Sequence, residues 1–132
     1  MGWLELRGQI VILLVLAMPV ACIAWTVTHE DIFRECRHWC TARGRASRRL
    51  LPRKFYYVFT CEYCFSHYVA ALAIAVTRFH LAYPGWLGLA VAFFSVIWIA
   101  NLYISLFARL RLEIKEERLD VEAAEVRNER LR

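Results

Sequence analysis

Four cysteines fall into two close pairs, Cys36-x3-Cys40 and Cys61-x2-Cys64. The first pair has the i, i+4 spacing of one helix face, and the second sits across the start of an apolar stretch. If the segment carrying the first pair folds back on the second, the four sulfurs can converge as a tetrahedral set of thiolates, the arrangement zinc takes at about 2.3 Å. Cys36, Cys40, Cys61 and Cys64 are therefore candidate Zn2+ ligands, with His38 and His67 as substitutes. Two other readings stand beside this one. Cysteine is a small, readily buried hydrophobe, so plain packing accounts for the same residues. Thiol redox chemistry is the third reading, because Cys61 and Cys64 lie where a helix N-terminus stabilises a thiolate, although Glu62 between them opposes its formation.

The elements that must position these thiols are apolar. Hydrophobic residues make up 60% of the 132-residue chain, and the mean hydropathy is +0.40. Too few polar side chains remain to cover an ordinary soluble surface. Three stretches, residues 9–27, 61–81 and 86–108, each approach the roughly 20 residues a helix needs to cross a bilayer. The expected fold is all-α and integral to the membrane: three transmembrane helices, a short interfacial amphipathic helix and a C-terminal cytosolic helix. Residues 1–108 form the membrane domain in this reading, and 109–132 a charged helical tail. The first stretch is read as a true span, not a cleaved signal peptide.

Charge sets the expected orientation. Residues 28–57 carry Arg34, Arg37, Arg43, Arg45, Arg48, Arg49, Arg53 and Lys54 against Glu30, Asp31 and Glu35. The positive-inside rule places this loop and the tail in the cytoplasm, with the N-terminus outside the plasma (inner) membrane. Aromatic placement agrees, with Trp3, Tyr83 and Trp86 at the outer interface and Trp25, Tyr56 and Tyr57 at the inner one. A disulfide among cytosolic thiols is not expected.

Along the chain, Pro19 favours a kink in the first helix. Thr28 and Asp31 have the spacing of a capping box opening a surface helix that ends near Gly44. Residues 44–54 read as an irregular connector on anionic headgroups, with Arg43, Arg45, Arg48, Arg49, Arg53 and Lys54 as lipid or partner contacts. Small residues Ala70, Ala71 and Ala73 offer a helix-packing face, and Asn101 should turn inward because an amide facing lipid lacks a partner. In the tail, seven basic and seven acidic residues alternate, and Leu112, Leu119 and Val126 fall seven apart. With Glu116 and Arg130 at the companion positions, a solvated helix laced with pairs such as Arg118 and Glu122 is expected over a strong coiled coil.

The block Thr60-Cys61-Glu62-Tyr63-Cys64-Phe65-Ser66-His67-Tyr68, preceded by Thr28-His29-Glu30-Asp31, resembles a family of small multi-helix membrane proteins of bacteria and phages that includes a sporulation-associated member. The resemblance covers roughly residues 10–108. It implies a multi-helix membrane protein with Cys-x-x-Cys at a helix start and no assigned activity. The chain differs in having Glu62-Tyr63 where the pattern more often reads Pro-Trp, and His67-Tyr68 where Phe-Trp is usual. Cys36 and Cys40 lie outside the pattern.

No glycine-rich phosphate loop and no spaced Ser/His/Asp set is present, so an enzyme is not expected. The leading expectation is a membrane subunit, homo-oligomeric or bound to another membrane protein, that presents a basic, cysteine-clustered cytosolic platform to anionic headgroups. A basic cluster beside a membrane does not itself indicate nucleic acid, and none is expected. A pore-forming protein of the holin or defence-effector kind is one alternative. A membrane thiol oxidoreductase is another.

Overall fold

The computed structural model describes residues 3–131, without the side chains of Trp3 and Leu4, so the interfacial role expected for the Trp3 ring lies outside the described part. Its order is α1 (Trp3–His29), a 3-10 turn (Asp31–Phe33), α2 (Arg34–Ala46), α3 (Leu50–Val58), α4 (Glu62–Thr77) and α5 (Gly85–Arg130). The fold is all-helical, with no strand among the described residues.

Helices α1, α4 and α5 form a bundle around small side chains. Ala17, Ala24, Ala70, Ala92, Ala100 and Ser66 are fully buried, and Val20 and Val96 fill the remaining space between them. Their spacing of three, four or seven residues puts each set on one helix face. Apolar groups outside this seam, such as Val15, Leu72, Phe94 and Trp98, remain exposed. Such a surface, with the largest apolar side chains outward and the smallest inward, suits helices that meet lipid outside and each other inside.

Helices α1 and α5 run parallel. Gln9 Oε1 accepts from the Ala82 amide just before α5, and at the other end Trp25 meets the Phe107 ring edge-on. Helix α4 returns between them, entering beside the C-terminus of α1 and ending near its N-terminal half. Two helices, α1 and α5, are long and apolar enough to cross a membrane. The 16 residues of α4 span about 24 Å, short of a hydrocarbon core of about 30 Å. Helices α3 and α4 meet the test only together, as one span bent by 83°.

Several local expectations are corrected. Thr28 does not open a capping box, because α1 continues past it and its hydroxyl donates back to the Ala24 carbonyl at 2.7 Å. The surface helix starts at Arg34 and runs to Ala46, and the irregular connector shrinks to residues 47–49. Pro52 sits in the first turn of α3, where its missing N–H has no intrahelical partner to lose. Gly44 is buried, and a Cβ there would lie 3.4 Å from that of Tyr56, so α2 and α3 close into a tight helical hairpin. Helix α4 stops at Thr77, not 81, because Arg78 takes a left-handed conformation (φ 52°) and its amide caps the Ile74 carbonyl.

One glycine is required by a close approach. The Leu81 amide donates to the Gly88 carbonyl, and a Cβ on Gly88 would fall on the Tyr83 carbonyl. This contact sets the turn that joins α4 to α5. Helix α5 passes through Arg109 without a break, and over its 46 residues extends about 69 Å. No residue of α5 beyond Ile104 is buried.

Candidate functional site

The chemistry-bearing side chains collect where α1 ends. His29 Nε2 and Glu62 Oε2 lie 3.0 Å apart, joining α1 to the first turn of α4. His29 stacks on Trp25, with ring centroids 3.9 Å apart and planes within 4°. Glu30 Oε1 accepts from both Trp25 Nε1 at 3.1 Å and Arg111 Nη1 at 2.9 Å, which ties α1 to α5. The Arg111 guanidinium also lies over the Phe107 ring.

Arg37 completes the cluster from α2. Its guanidinium donates to the carbonyls of Val27 at 3.0 Å and Glu30 at 2.8 Å, and more distantly to His29. The Val27 and His29 carbonyls belong to the last turn of α1, where the helix dipole favours a cation. The Glu30 carbonyl just beyond it also accepts from the Phe33 amide. One polar node thus latches α1, α2, α4 and α5 together. No buried side-chain nitrogen or oxygen among the described residues lacks a partner.

Cys36 and Cys40 stand one turn apart on α2, Cys36 exposed and Cys40 buried. Burial, then the neighbouring Cys36 thiol, pushes the Cys40 thiol above its usual range. Cys61 caps the N-terminus of α4, its sulfur accepting from the Cys64 amide at 3.5 Å, and Cys64 is exposed. Among the described residues no three His, Cys, Asp or Glu side chains gather as a metal cradle. His38 is exposed on α2. His67 donates from Nδ1 to the Tyr63 carbonyl at 2.7 Å and lies against the Phe93 ring.

Arg43, Arg45, Arg48, Arg49, Arg53 and Lys54 are all exposed on the α2–α3 hairpin. Between them the hairpin exposes Trp39, Leu50, Leu51, Phe55 and Tyr57. Asn101 donates to Ser66 Oγ at 3.1 Å and to the Ile97 carbonyl at 2.8 Å, so its amide is satisfied between α4 and α5. Of the three alanines expected to form a packing face on α4, Ala70 is buried and Ala73 partly so. Ala71 instead lies on the exposed face, since one residue's step of about 100° carries it off the seam.

No family model, curated protein or solved structure matches this chain.

Sequence reasoning missed Glu30, Arg37 and Arg111 as a unit. Their signal was present as charges immediately flanking apolar stretches, where an unpaired group is costly. What the sequence does not encode in any local pattern is that residues 30 and 111 lie side by side. Helix α5 has to run parallel to α1 for that, and the run depends on the return helix α4.

Proposed function

We propose that this protein is a non-enzymatic subunit of a membrane assembly. In this reading α1 and α5 cross the bilayer, α3 and α4 form a bent third crossing, and the assembly sits in the plasma (inner) membrane with the N-terminus outside. The observation that carries it is that the basic α2–α3 hairpin and the charged tail of α5 leave the bundle at one end, through the Arg37 and Arg111 contacts to the end of α1. Cations interleaved with exposed aromatic and aliphatic side chains suit a helix lying in an interface of anionic headgroups. At the other end the chain presents Tyr83 and Trp86, both exposed. The charge asymmetry therefore has a structural counterpart, which supports a cytosolic hairpin and tail.

The thiols are read as structural, with the Cys36/Cys40 pair inside the hairpin. Purification of the tagged full-length chain from membranes in a mild detergent tests the reading. A particle holding more than one chain, or a reproducible membrane-protein partner, is expected, and a strictly monomeric particle with no partner contradicts it.

A second reading, thiol–disulfide exchange at Cys61 and Cys64, is favoured by the Cys61 sulfur at the positive end of α4 beside an exposed Cys64. It requires that Cys64→Ser abolish turnover of a dithiol or disulfide substrate while leaving assembly intact.

A further inference from the structure

The tail of α5 is a rod with its apolar side chains outward. Leu112, Leu119 and Val126 are 61%, 54% and 50% exposed, although an apolar row on a helix gains by being covered. The charged side chains beside this row also form no ion pair among the described residues. Among the described residues the ion pairs are His29–Glu62, Arg34–Asp31 and Arg111–Glu30. The expected Arg118–Glu122 pair does not form.

We infer that the row is a contact between copies of this chain, packed as parallel tail helices in register. This inference rests on the membrane-subunit reading above. Copies inserted in one membrane share a direction and a depth, and α5 runs unbroken from the bundle core to Arg130. Neighbouring tails therefore emerge parallel, with equal residues at equal height, so register is supplied before the tails touch.

In that register the charges flanking the row match. With Leu112, Leu119 and Val126 at d of a heptad, Lys115 and Glu122 take g, and Asp120 and Arg127 take e. In a parallel pair each g faces the following e of its neighbour. Lys115 thus meets Asp120 of the next copy, and Glu122 meets Arg127 of the next copy. Both pairings are of opposite sign, and symmetry makes each occur twice.

The a positions, Glu116, Ala123 and Arg130, are small or charged, and in this register Glu116 and Arg130 each face the like charge of their own counterpart. They make the contact weak in free solution, where the tail alone is not expected to associate. Confinement in a bilayer raises the effective concentration of oriented copies, so a weak contact suffices there. A different protein laid on the row has no such reason to reproduce the 115–120 and 122–127 matching.

The test is charge exchange in the full-length protein, reconstituted at several protein-to-lipid ratios and read by energy transfer between labelled copies. Glu122→Arg alone and Arg127→Glu alone each set like charges face to face, and each should weaken association about tenfold. The double variant, Glu122→Arg with Arg127→Glu, restores opposite signs and should restore association to within about twofold. Leu119→Asp should abolish the tail-dependent part. All three positions are exposed, so folding is not at issue, and helical circular dichroism checks it.

If wild-type copies associate and none of these variants alters the signal, the tail contact is overturned while the subunit reading stands on other surfaces. Weakening by both single variants without rescue by the double also overturns the parallel register. If wild-type copies do not associate at any ratio, the inference falls, and the subunit reading survives only where a different membrane protein co-purifies.

Discussion

Glu30 and Arg111 meet at 2.9 Å although they lie 81 residues apart. The pair closes the end of the bundle at the point where α5 leaves its packed half and becomes a solvated helix. Because the same Glu30 oxygen also accepts from Trp25, the carboxylate holds an aromatic ring and a neighbouring helix at once. The Trp25 ring in turn fixes His29 by stacking.

Truncating either partner should therefore have unequal effects. The side chains are 53% and 40% exposed, so Arg111→Ala should cost only about 0.5 kcal/mol. Glu30→Ala also strands the Trp25 N–H and should cost about 1–2 kcal/mol. Chemical unfolding in detergent measures both, and the double variant should show a coupling of about 0.5 kcal/mol.

Arg37 acts on backbone carbonyls. Arg37→Ala removes the donors to Val27, His29 and Glu30 and should cost about 1–2 kcal/mol, because charge-assisted bonds at a helix end are among the stronger ones. Arg34→Ala, which loses only an exposed pair with Asp31 at 3.8 Å, should be neutral within about 0.5 kcal/mol. Faster amide exchange in the 3-10 turn and first turn of α2 for the Arg37 variant alone would confirm the distinction.

Two glycine substitutions should move in opposite directions. Gly88→Ala drives a methyl into the Tyr83 carbonyl and should destabilise by about 2–4 kcal/mol, opening the α4–α5 turn. Gly8→Ala meets nothing within 4 Å in the first turns of α1, and should stabilise by up to about 1 kcal/mol through helix propensity. Thermal melts of the two variants against wild type decide this.

How much of this was legible in the sequence differs by element. The long apolar runs around Val20 and Val96 announced α1 and α5, since only an extended helix buries such runs on one face and offers the rest to lipid. The tail's helicity followed from its charge alternation. By contrast, residues 50–54 read as part of an irregular connector over 44–54, because small residues, Pro52 and five basic side chains suggest one. The helix forms because Pro52 falls in its first turn and because Gly44 lets Tyr56 approach α2. The early stop of α4 was hidden too, since nothing in Thr77-Arg78-Phe79 marks a left-handed arginine. Likewise the 83° bend between α3 and α4 is a tertiary fact that no spacing rule contains.

Thiol reactivity should follow burial and not sequence spacing. Cys36 should be alkylated well before Cys40, because Cys40 is 3% exposed and its thiol is pushed up by burial and by Cys36. The thiolate is the reacting form. Raising the pH should therefore accelerate Cys40 only above the usual thiol range, and mass spectrometry of alkylated peptides reads the order. Equal rates for the two across pH 7–9 would contradict the packing of α2 on α3.

The most direct test of the account is the accessibility of Cys36 to a membrane-impermeant maleimide in cells producing the full-length protein. Cys36 is exposed on the hairpin, which the proposed orientation puts at the cytosolic end. The expected result is no labelling in intact cells and full labelling once the membrane is permeabilised, with the protein retained in the membrane after an alkaline carbonate wash. Labelling of Cys36 in intact cells, or release of the protein by the wash, would contradict it.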